Sequence, residues 1–238
     1  MNENDDFTDL ATMDFLVAKR LYESSVSFFY NRLHIDLEKL PKNFSINQED
    51  SGEHSEVLEI GAGSGEHLKF VRVPYRRYVL TDISDFGLES ISELLLDDRV
   101  CFEKANAESL PFEDSSFDRI IATCVMAHLE NPILALMEIR RVLRIGGTAS
   151  IFLSADPSIT LRILRRFFVL PKMKNLPMDY GLYNALAHRN SCPNLLQLTR
   201  QVFRCDFVVR KFKPFRIPSW NLSTHVIVHI KKMDAEYA

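Results

Sequence analysis

VLEIGAGSGEHL, residues 57–68, runs from an apolar segment straight into three alternating glycines. Val57, Leu58 and Ile60 have the apolar, β-branched character of a strand covered on both faces. Gly61, Gly63 and Gly65 then remove every Cβ where the chain must turn sharply, which lets a ligand approach the backbone. A helix is expected from about Glu66 to Val71, with free N–H groups at its start. The pattern reads as a nucleotide-type cofactor loop, although its GxGxG spacing is not the GxGxxG of the dinucleotide fingerprint.

A second apolar strand, RRYVLTDIS at 76–84, ends on Thr81 and Asp82. Ligands of open α/β sheets lie outside the carboxyl ends of the strands, so an acid placed there can accept hydrogen bonds from ribose hydroxyls. The plainer alternative is that Asp82 is a turn residue or caps a helix beginning near Ser84.

Residues 105–154, ANAESLPFEDSSFDRIIATCVMAHLENPILALMEIRRVLRIGGTASIFLS, continue with a polar loop, a strand, an amphipathic helix, Gly-Gly and another strand. The landmarks are Glu59 with the three glycines, Asp82, the loop AESLPF at 107–112, Phe117 and Asp118 before the fourth strand, and Gly146 and Gly147 before the fifth. In that order they resemble the cofactor domain of class I S-adenosylmethionine-dependent methyltransferases, especially the small-molecule group that includes the quinone C-methyltransferases. The resemblance spans about 100 of 238 residues. It implies an α/β, Rossmann-like fold with a mostly parallel seven-stranded sheet and helices on both faces. It also implies S-adenosyl-L-methionine as cofactor and S-adenosyl-L-homocysteine as product. The cofactor site would draw on Glu59, Gly61, Gly63, Gly65, Asp82, Ile83, Asn106, Ala107 and Glu108, with the glycine loop beside the methionine part and Asp82 on the ribose. Many relatives carry aspartate where this chain has Asn106, whose carbonyl accepts the adenine amino group more weakly than a charged group does. The alternative for Asn106 is a loop residue satisfying its own backbone.

Four segments are expected. Residues 1–54 form an N-terminal helical cover, with its helical region at about 9–40, and a polar linker at 43–56 leads into the first strand. Residues 55–155 form the cofactor-binding core, 156–206 a basic helical insertion on the acceptor side, and 207–238 the last two strands. Within the last two segments, helices are expected at 158–170 and 194–204, an irregular stretch between them, and strands near 207–213 and 223–231. The net charge of −3 conceals an asymmetry: residues 1–155 carry 15 Lys or Arg against 27 Asp or Glu, and residues 156–238 carry 14 against 5. That contrast points to an anionic partner for the basic half, or to docking of the two halves on each other.

No apolar run approaches the length of a membrane span, and the acidic MNENDDFTDL start is unlike a signal peptide, so a cytoplasmic location is expected. Cys101, Cys124, Cys192 and Cys205 are widely spaced and read as reduced thiols. His225 and His229 have a zinc-like spacing, but THVIVHI reads as a strand with no third ligand, so no metal is expected.

Methyl transfer needs a nucleophile held in line with an electrophilic methyl, a positioning effect worth about 7 to 11 kcal/mol. An oxygen nucleophile gains a further ~10²- to 10⁴-fold from a base. His128 follows the fourth strand, and His188 lies in LAHRNS beside Arg189 and Asn190. Both are candidate bases, and the sequence does not rank them. Tyr180, Tyr183, Arg189 and Asn190 are candidate acceptor contacts; the alternatives are core packing for the two tyrosines and a solvated loop for the His188–Asn190 cluster. The expected reaction is O-methylation of a small polar or anionic acceptor of the sugar, glycan or lipid-linked kind. LRILRRFFVL at 161–170 reads either as an interfacial helix making peripheral membrane contact or as a helix packed on the sheet. Two other classes stay open. One is a nucleic-acid methyltransferase using the interleaved aromatic and basic residues of 203–220. The other is a non-catalytic, cofactor-binding scaffold.

Overall fold

The computed structural model describes residues 10–25, 27–44, 55–72, 74–85, 91–92 and 94–234. Seven strands form one sheet: β1 (Glu56–Ile60), β2 (Arg77–Asp82), β3 (Val100–Lys104), β4 (Phe117–Ala122), β5 (Leu143–Ser154), β6 (Phe207–Lys213) and β7 (His225–Lys231). Their spatial order is β3-β2-β1-β4-β5-β7-β6. The first five pair in parallel, and β7 enters antiparallel between β5 and β6. This is the expected Rossmann-like, mostly parallel sheet. The chain order reverses between β1 and β4, and the crevice outside their carboxyl ends is where such sheets bind ligands.

Every residue of β1 is buried, and its side chains alternate between the two faces of the sheet as a strand's period of two demands. Leu58 and Ile60 join the cluster built on α3 (Pro132–Val142) and α6 (Cys192–Val202), through Leu136, Ile139 and Leu195. Val57 faces the other way, with Tyr78, Leu80 and Ile121, against Leu33 and Leu37 of α2 (Ser27–Glu38). A third apolar cluster lies off the sheet, where Met13, Val17 and Leu21 of α1 (Leu10–Glu23) pack on Val169, Met173, Tyr180 and Tyr183. The amino-terminal helices and the insertion after β5 therefore hold each other.

Several expectations change. The helical region placed at about 9–40 is two helices, because Ser24 turns its hydroxyl onto the Leu21 carbonyl at 3.0 Å and offers the backbone an alternative to helix. The helix expected from Glu66 is only a 3₁₀ turn at Leu68–Phe70. Too few residues separate Gly65 from Pro74 to nucleate a longer run. The insertion holds α4 (Ile159–Leu164), capped by Ser158 and continued by a π turn at Arg165–Val169. It also holds α5 (Tyr180–Ala187), in the stretch expected to be irregular, where the Asp179 carboxylate caps the Leu182 N–H at 3.0 Å. The strands expected near 207–213 and 223–231 are β6 and β7. The linker at 45–54 and the helix expected after Ser84, at 86–90, lie outside the described residues.

Candidate functional site

The glycine loop leaves β1 at the crevice. Gly61 and Gly63 have φ of +70° and +52°, the left-handed region that only glycine adopts without strain. A Cβ on Gly61 would lie 2.6 Å from the Val125 Cβ, whereas one on Gly63 would meet nothing within 4 Å. Gly61 is thus a packing glycine, and Gly63 borders open space that a ligand could fill. Asp82, at the end of β2, accepts the Gly63 N–H at 2.9 Å through one carboxylate oxygen and the Ser84 N–H at 3.0 Å through the other. Each oxygen keeps a second lone pair for a hydroxyl. The next side chain, Ile83, is 66% exposed beside it. Left-handed glycines, an open cradle and a carboxylate with spare acceptors fit a nucleoside-containing cofactor.

A buried polar chain supports the loop from behind. His67, directly after it, is fully buried and gives its Nε2–H to the Glu38 carboxylate at 3.2 Å. Its Nδ1 therefore accepts the Nδ1–H of His34 at 3.0 Å, and the Tyr22 hydroxyl donates to the remaining His34 nitrogen at 2.6 Å. These tautomers follow from the donor count of the network. They agree with a His34 pKa pushed down to about 3 by burial, with the neighbouring His67 adding to the effect. Buried Arg119 closes the chain, 3.4 Å from Glu38 and 2.8 Å from the Ser150 hydroxyl. Helices α1 and α2 are in this way wired to the cofactor loop. The sequence offered no signal for it, because the partners are far apart in the chain.

The loop after β4 links the cofactor side to a second cluster. Thr123 donates its hydroxyl to the Gly61 carbonyl at 3.1 Å, and Val125 packs on Gly61. Three residues on, the rings of His128 and His188 meet edge to face with centroids 4.9 Å apart. The structure thus unites the two histidines. His188 Nδ1 lies 2.8 Å from Asp156 Oδ2, just past β5, and Arg165 grips both Asp156 oxygens. Burial would raise the Asp156 carboxyl, but hydrogen bonds from His188 and Arg165 outweigh it and hold the pKa well below the usual range. Burial lowers the His128 pKa, with Asp14 opposing and His188 reinforcing, so this ring is neutral near pH 7. Asp14 of α1 lies 3.5 Å from His128 Nδ1 and accepts the Tyr183 hydroxyl. Burial also raises the pKa values of Tyr30, Tyr180 and Tyr183, leaving three neutral phenols around the cluster. Side-chain exposure grades from 42% at Asp14 and 26% at His128 to 17% at His188 and 13% at Asp156, so Asp14 and His128 lie nearest to solvent.

Other expected site residues have different duties. Glu59 is fully buried and does not reach the crevice; Tyr78 and Thr123 donate to its carboxylate at 2.7 and 3.3 Å, and burial raises its pKa. Asn106 spends its side-chain oxygen on the Glu108 N–H at 2.9 Å, the backbone-satisfying alternative, while Ala107 beside it is buried. Glu108 accepts the Asn131 N–H at 2.7 Å and holds the start of α3 rather than a ligand. Arg189 pairs with Glu130 at 2.8 Å on the surface. Asn190 donates to the Leu129 and Met126 carbonyls at 2.6 and 3.2 Å, which fixes the His128 loop. Tyr183 is committed to Asp14, and Tyr180 opens α5 beside Arg165. The interleaved segment 203–220 presents no continuous stacking face, since Phe203 is buried in the core and Phe212 and Trp220 pack against it. Among the described residues no group of His, Cys, Asp and Glu could hold a metal, and no helix is long and apolar enough to cross a membrane.

A Rossmann-like sheet of this strand order, with a glycine loop and a strand-end acid at its switch point, defines the class of nucleotide-cofactor proteins. Residues 58–151 match the family described as a methyltransferase domain. Over that segment the chain resembles the class I S-adenosylmethionine-dependent methyltransferases. It is 33% identical over 133 residues to the ubiquinone/menaquinone biosynthesis C-methyltransferase UbiE of Hahella chejuensis, covering 53% of each chain. It is 31% identical over 163 residues to the UbiE of Teredinibacter turnerae, covering 63% of this chain and 66% of that one. The chain thus spans about half to two thirds of the length of these curated relatives. Among solved structures it resembles the [4+2]-cyclase SpnF, with TM-score 0.64 at 15% identity, 94% of this chain and 96% of that one. It also resembles the CurJ carbon methyltransferase, with TM-score 0.60 at 18% identity, 91% of this chain and 58% of that one. A cyclase and a methyltransferase on one fold show that the chemistry must be argued from the site.

Proposed function

We propose that this chain transfers the methyl group of S-adenosylmethionine to a small polar or anionic acceptor bearing a hydroxyl, of the sugar, glycan or lipid-linked kind. The observation that carries the reading is the Asp156–His188 pair, 2.8 Å apart and joined to the glycine loop through the segment Thr123–His128. When bound, S-adenosylmethionine supplies an electrophilic methyl, and its sulfur keeps the bonding pair as S-adenosylhomocysteine forms. Gly63 and Asp82 hold the cofactor on one side of the crevice. On the other side, Asp156 fixes the His188 tautomer with Nδ1 protonated, so Nε2 is free to take the acceptor's hydroxyl proton, and the carboxylate stabilises the resulting imidazolium. The acceptor oxygen then forms its bond to carbon as the sulfur–carbon bond breaks. Neutral His128 and the three phenols orient the acceptor, and α1 and α5 exclude water from it.

The relatives printed as C-methyltransferases favour a second reading, in which the same base ionises a hydroxyl on a ring and the methyl goes to the adjacent ring carbon. One experiment separates them. Protein is incubated with ¹³C-methyl S-adenosylmethionine and a panel of hydroxylated sugars, lipid-linked sugars and quinols, and the labelled products are examined by mass spectrometry and NMR. An oxygen-bound methyl resonates far downfield of a carbon-bound one. Product formation that survives undiminished in His188→Gln would refute the base assignment. No binding of S-adenosylhomocysteine to folded protein would refute the cofactor site.

A further inference from the structure

The two elements that face the acceptor cluster also carry an outward face that the proposed reaction does not use. In the first turn of α2, Tyr30 lies toward Arg165 and Asp156, while its neighbours Phe28 and Phe29 are 70% and 44% exposed. In the π turn after α4, Arg165 points inward to Asp156, while Phe167 and Phe168 are 68% and 51% exposed. Phe28, Phe29 and Phe168 form one patch, since the Phe28 and Phe29 rings lie 6.0 Å apart and the Phe29 and Phe168 rings 6.3 Å apart, and Phe167 is the exposed chain neighbour of Phe168. Exposed Arg162 and Arg166 belong to the same helical run, and neither has an ion-pair partner among the described residues. A π turn carries one residue more per turn than an α-helix would, and such turns recur at functional sites. Four exposed phenylalanines beside two unpaired arginines are more than the scattered apolar exposure of an ordinary surface.

We propose that this aromatic and arginine patch docks the protein on an anionic phospholipid surface, with the acceptor cluster opening beside the membrane. Charge complementarity selects the occupant. Its two arginines and Phe167 and Phe168 come from the half of the chain carrying 14 Lys or Arg against 5 Asp or Glu, while Phe28 and Phe29 add apolar area from the other half, and aromatic rings combined with basic side chains suit the headgroup boundary of an anionic bilayer. A two-fold contact between copies would bring Arg162 and Arg166 close to their own counterparts. Docking would set Tyr30 and Arg165, which line the cluster, one residue behind the lipid-facing side chains. The inference stands whether or not methyl transfer occurs, because it concerns binding.

The test is flotation of the full chain with vesicles of phosphatidylcholine alone and of phosphatidylcholine mixed with phosphatidylglycerol. Wild-type protein is expected to float with the anionic vesicles, less so as salt is raised. Arg162→Glu with Arg166→Glu, and separately Phe167→Ser with Phe168→Ser, should each lower partitioning by about tenfold or more. Both pairs should keep the melting temperature and S-adenosylhomocysteine affinity, which separates this outcome from misfolding or a lost cofactor site. The proposal is overturned if wild-type protein stays in solution with anionic vesicles, or if the Phe167/Phe168 pair floats like wild type. It is equally overturned if that pair instead turns a dimer into a monomer, which would assign the patch to a second copy.

Discussion

Alanine at Gly61 and at Gly63 should do opposite things, although the two residues are two apart in one loop. At Gly61 the new Cβ would lie 2.6 Å from the Val125 Cβ and 3.3 Å from the Thr123 carbonyl, on a backbone with φ of +70°. Left-handed strain costs about 1 to 2 kcal/mol, and forcing a methyl into a filled space costs about 1 to 3 kcal/mol. Glycine's larger unfolded-state entropy returns about 0.4 to 1 kcal/mol, so Gly61→Ala should lose about 1 to 5 kcal/mol. In a chain of this size that lowers Tm by roughly 2 to 18 °C. At Gly63, φ is +52° but nothing lies within 4 Å of the added methyl, so strain and entropy nearly cancel. Gly63→Ala should melt within a few degrees of wild type while its methyl fills the cradle, and S-adenosylhomocysteine affinity should fall at least tenfold, about 1.4 kcal/mol. Thermal melts by circular dichroism and calorimetric titration on the same samples read both quantities. If Gly61→Ala melts with wild type, the packing argument for Val125 fails. Undiminished affinity in Gly63→Ala would falsify the assignment of the cradle.

Three further outcomes are expected. Asp82→Ala removes the acceptor of the Gly63 and Ser84 amides and, in the proposed cofactor site, the acceptor for a ribose hydroxyl, so cofactor affinity should drop by about 10²-fold with the fold kept, as titration and a melt would record. Asp156→Asn leaves His188 without its charged partner, and kcat should fall by about 10²-fold or more while cofactor affinity holds; a change confined to KM would argue that Asp156 only shapes the pocket. Acid should destabilise the protein through His34 and His229, whose pKa values burial pushes down to about 3 and about 2. Because these folded pKa values lie below the unfolded ~6.5, the unfolded chain takes up protons that the folded one refuses. The stability is complete above that value and is lost as pH falls towards 3. Between pH 7 and pH 5 the loss is about 2 kcal/mol per histidine. Buried Glu59, with its raised pKa, acts in the other direction. Denaturant melts at pH 5, 6 and 7 should show a shallower acid loss in His34→Gln than in wild type.

Polar residues inside and beside the sheet mark where pattern does not give direction. Glu59 follows the landmark order of a cofactor residue, yet the period of two turns it away from the crevice, where Tyr78 and Thr123 satisfy it. Arg119, within DRIIA, is buried against Glu38 and Ser150. Asn190 and Arg189 sit beside His188 in the sequence and look like one binding cluster. In space one holds backbone carbonyls and the other reaches the surface. The pattern leaves these directions open for one reason, since a residue's direction depends on the neighbouring element that packs against it.

The sequence by itself determined the sheet, the glycine loop and the strand-end acid. These depend on local signals: apolar runs, glycines where the backbone turns left-handed, and an acid at the last position of a strand. Even the return of the final two strands was legible, because each is a short apolar segment bounded by turns. Only the tertiary structure assembled the cluster on which the proposed acceptor site rests. Asp14, His128, Asp156, Arg165 and His188 come from five separate places along the chain, and what joins them is the packing of α1 on the insertion after β5. No periodicity encodes that contact, because its free energy comes from apolar surfaces brought together across more than 150 residues of intervening chain.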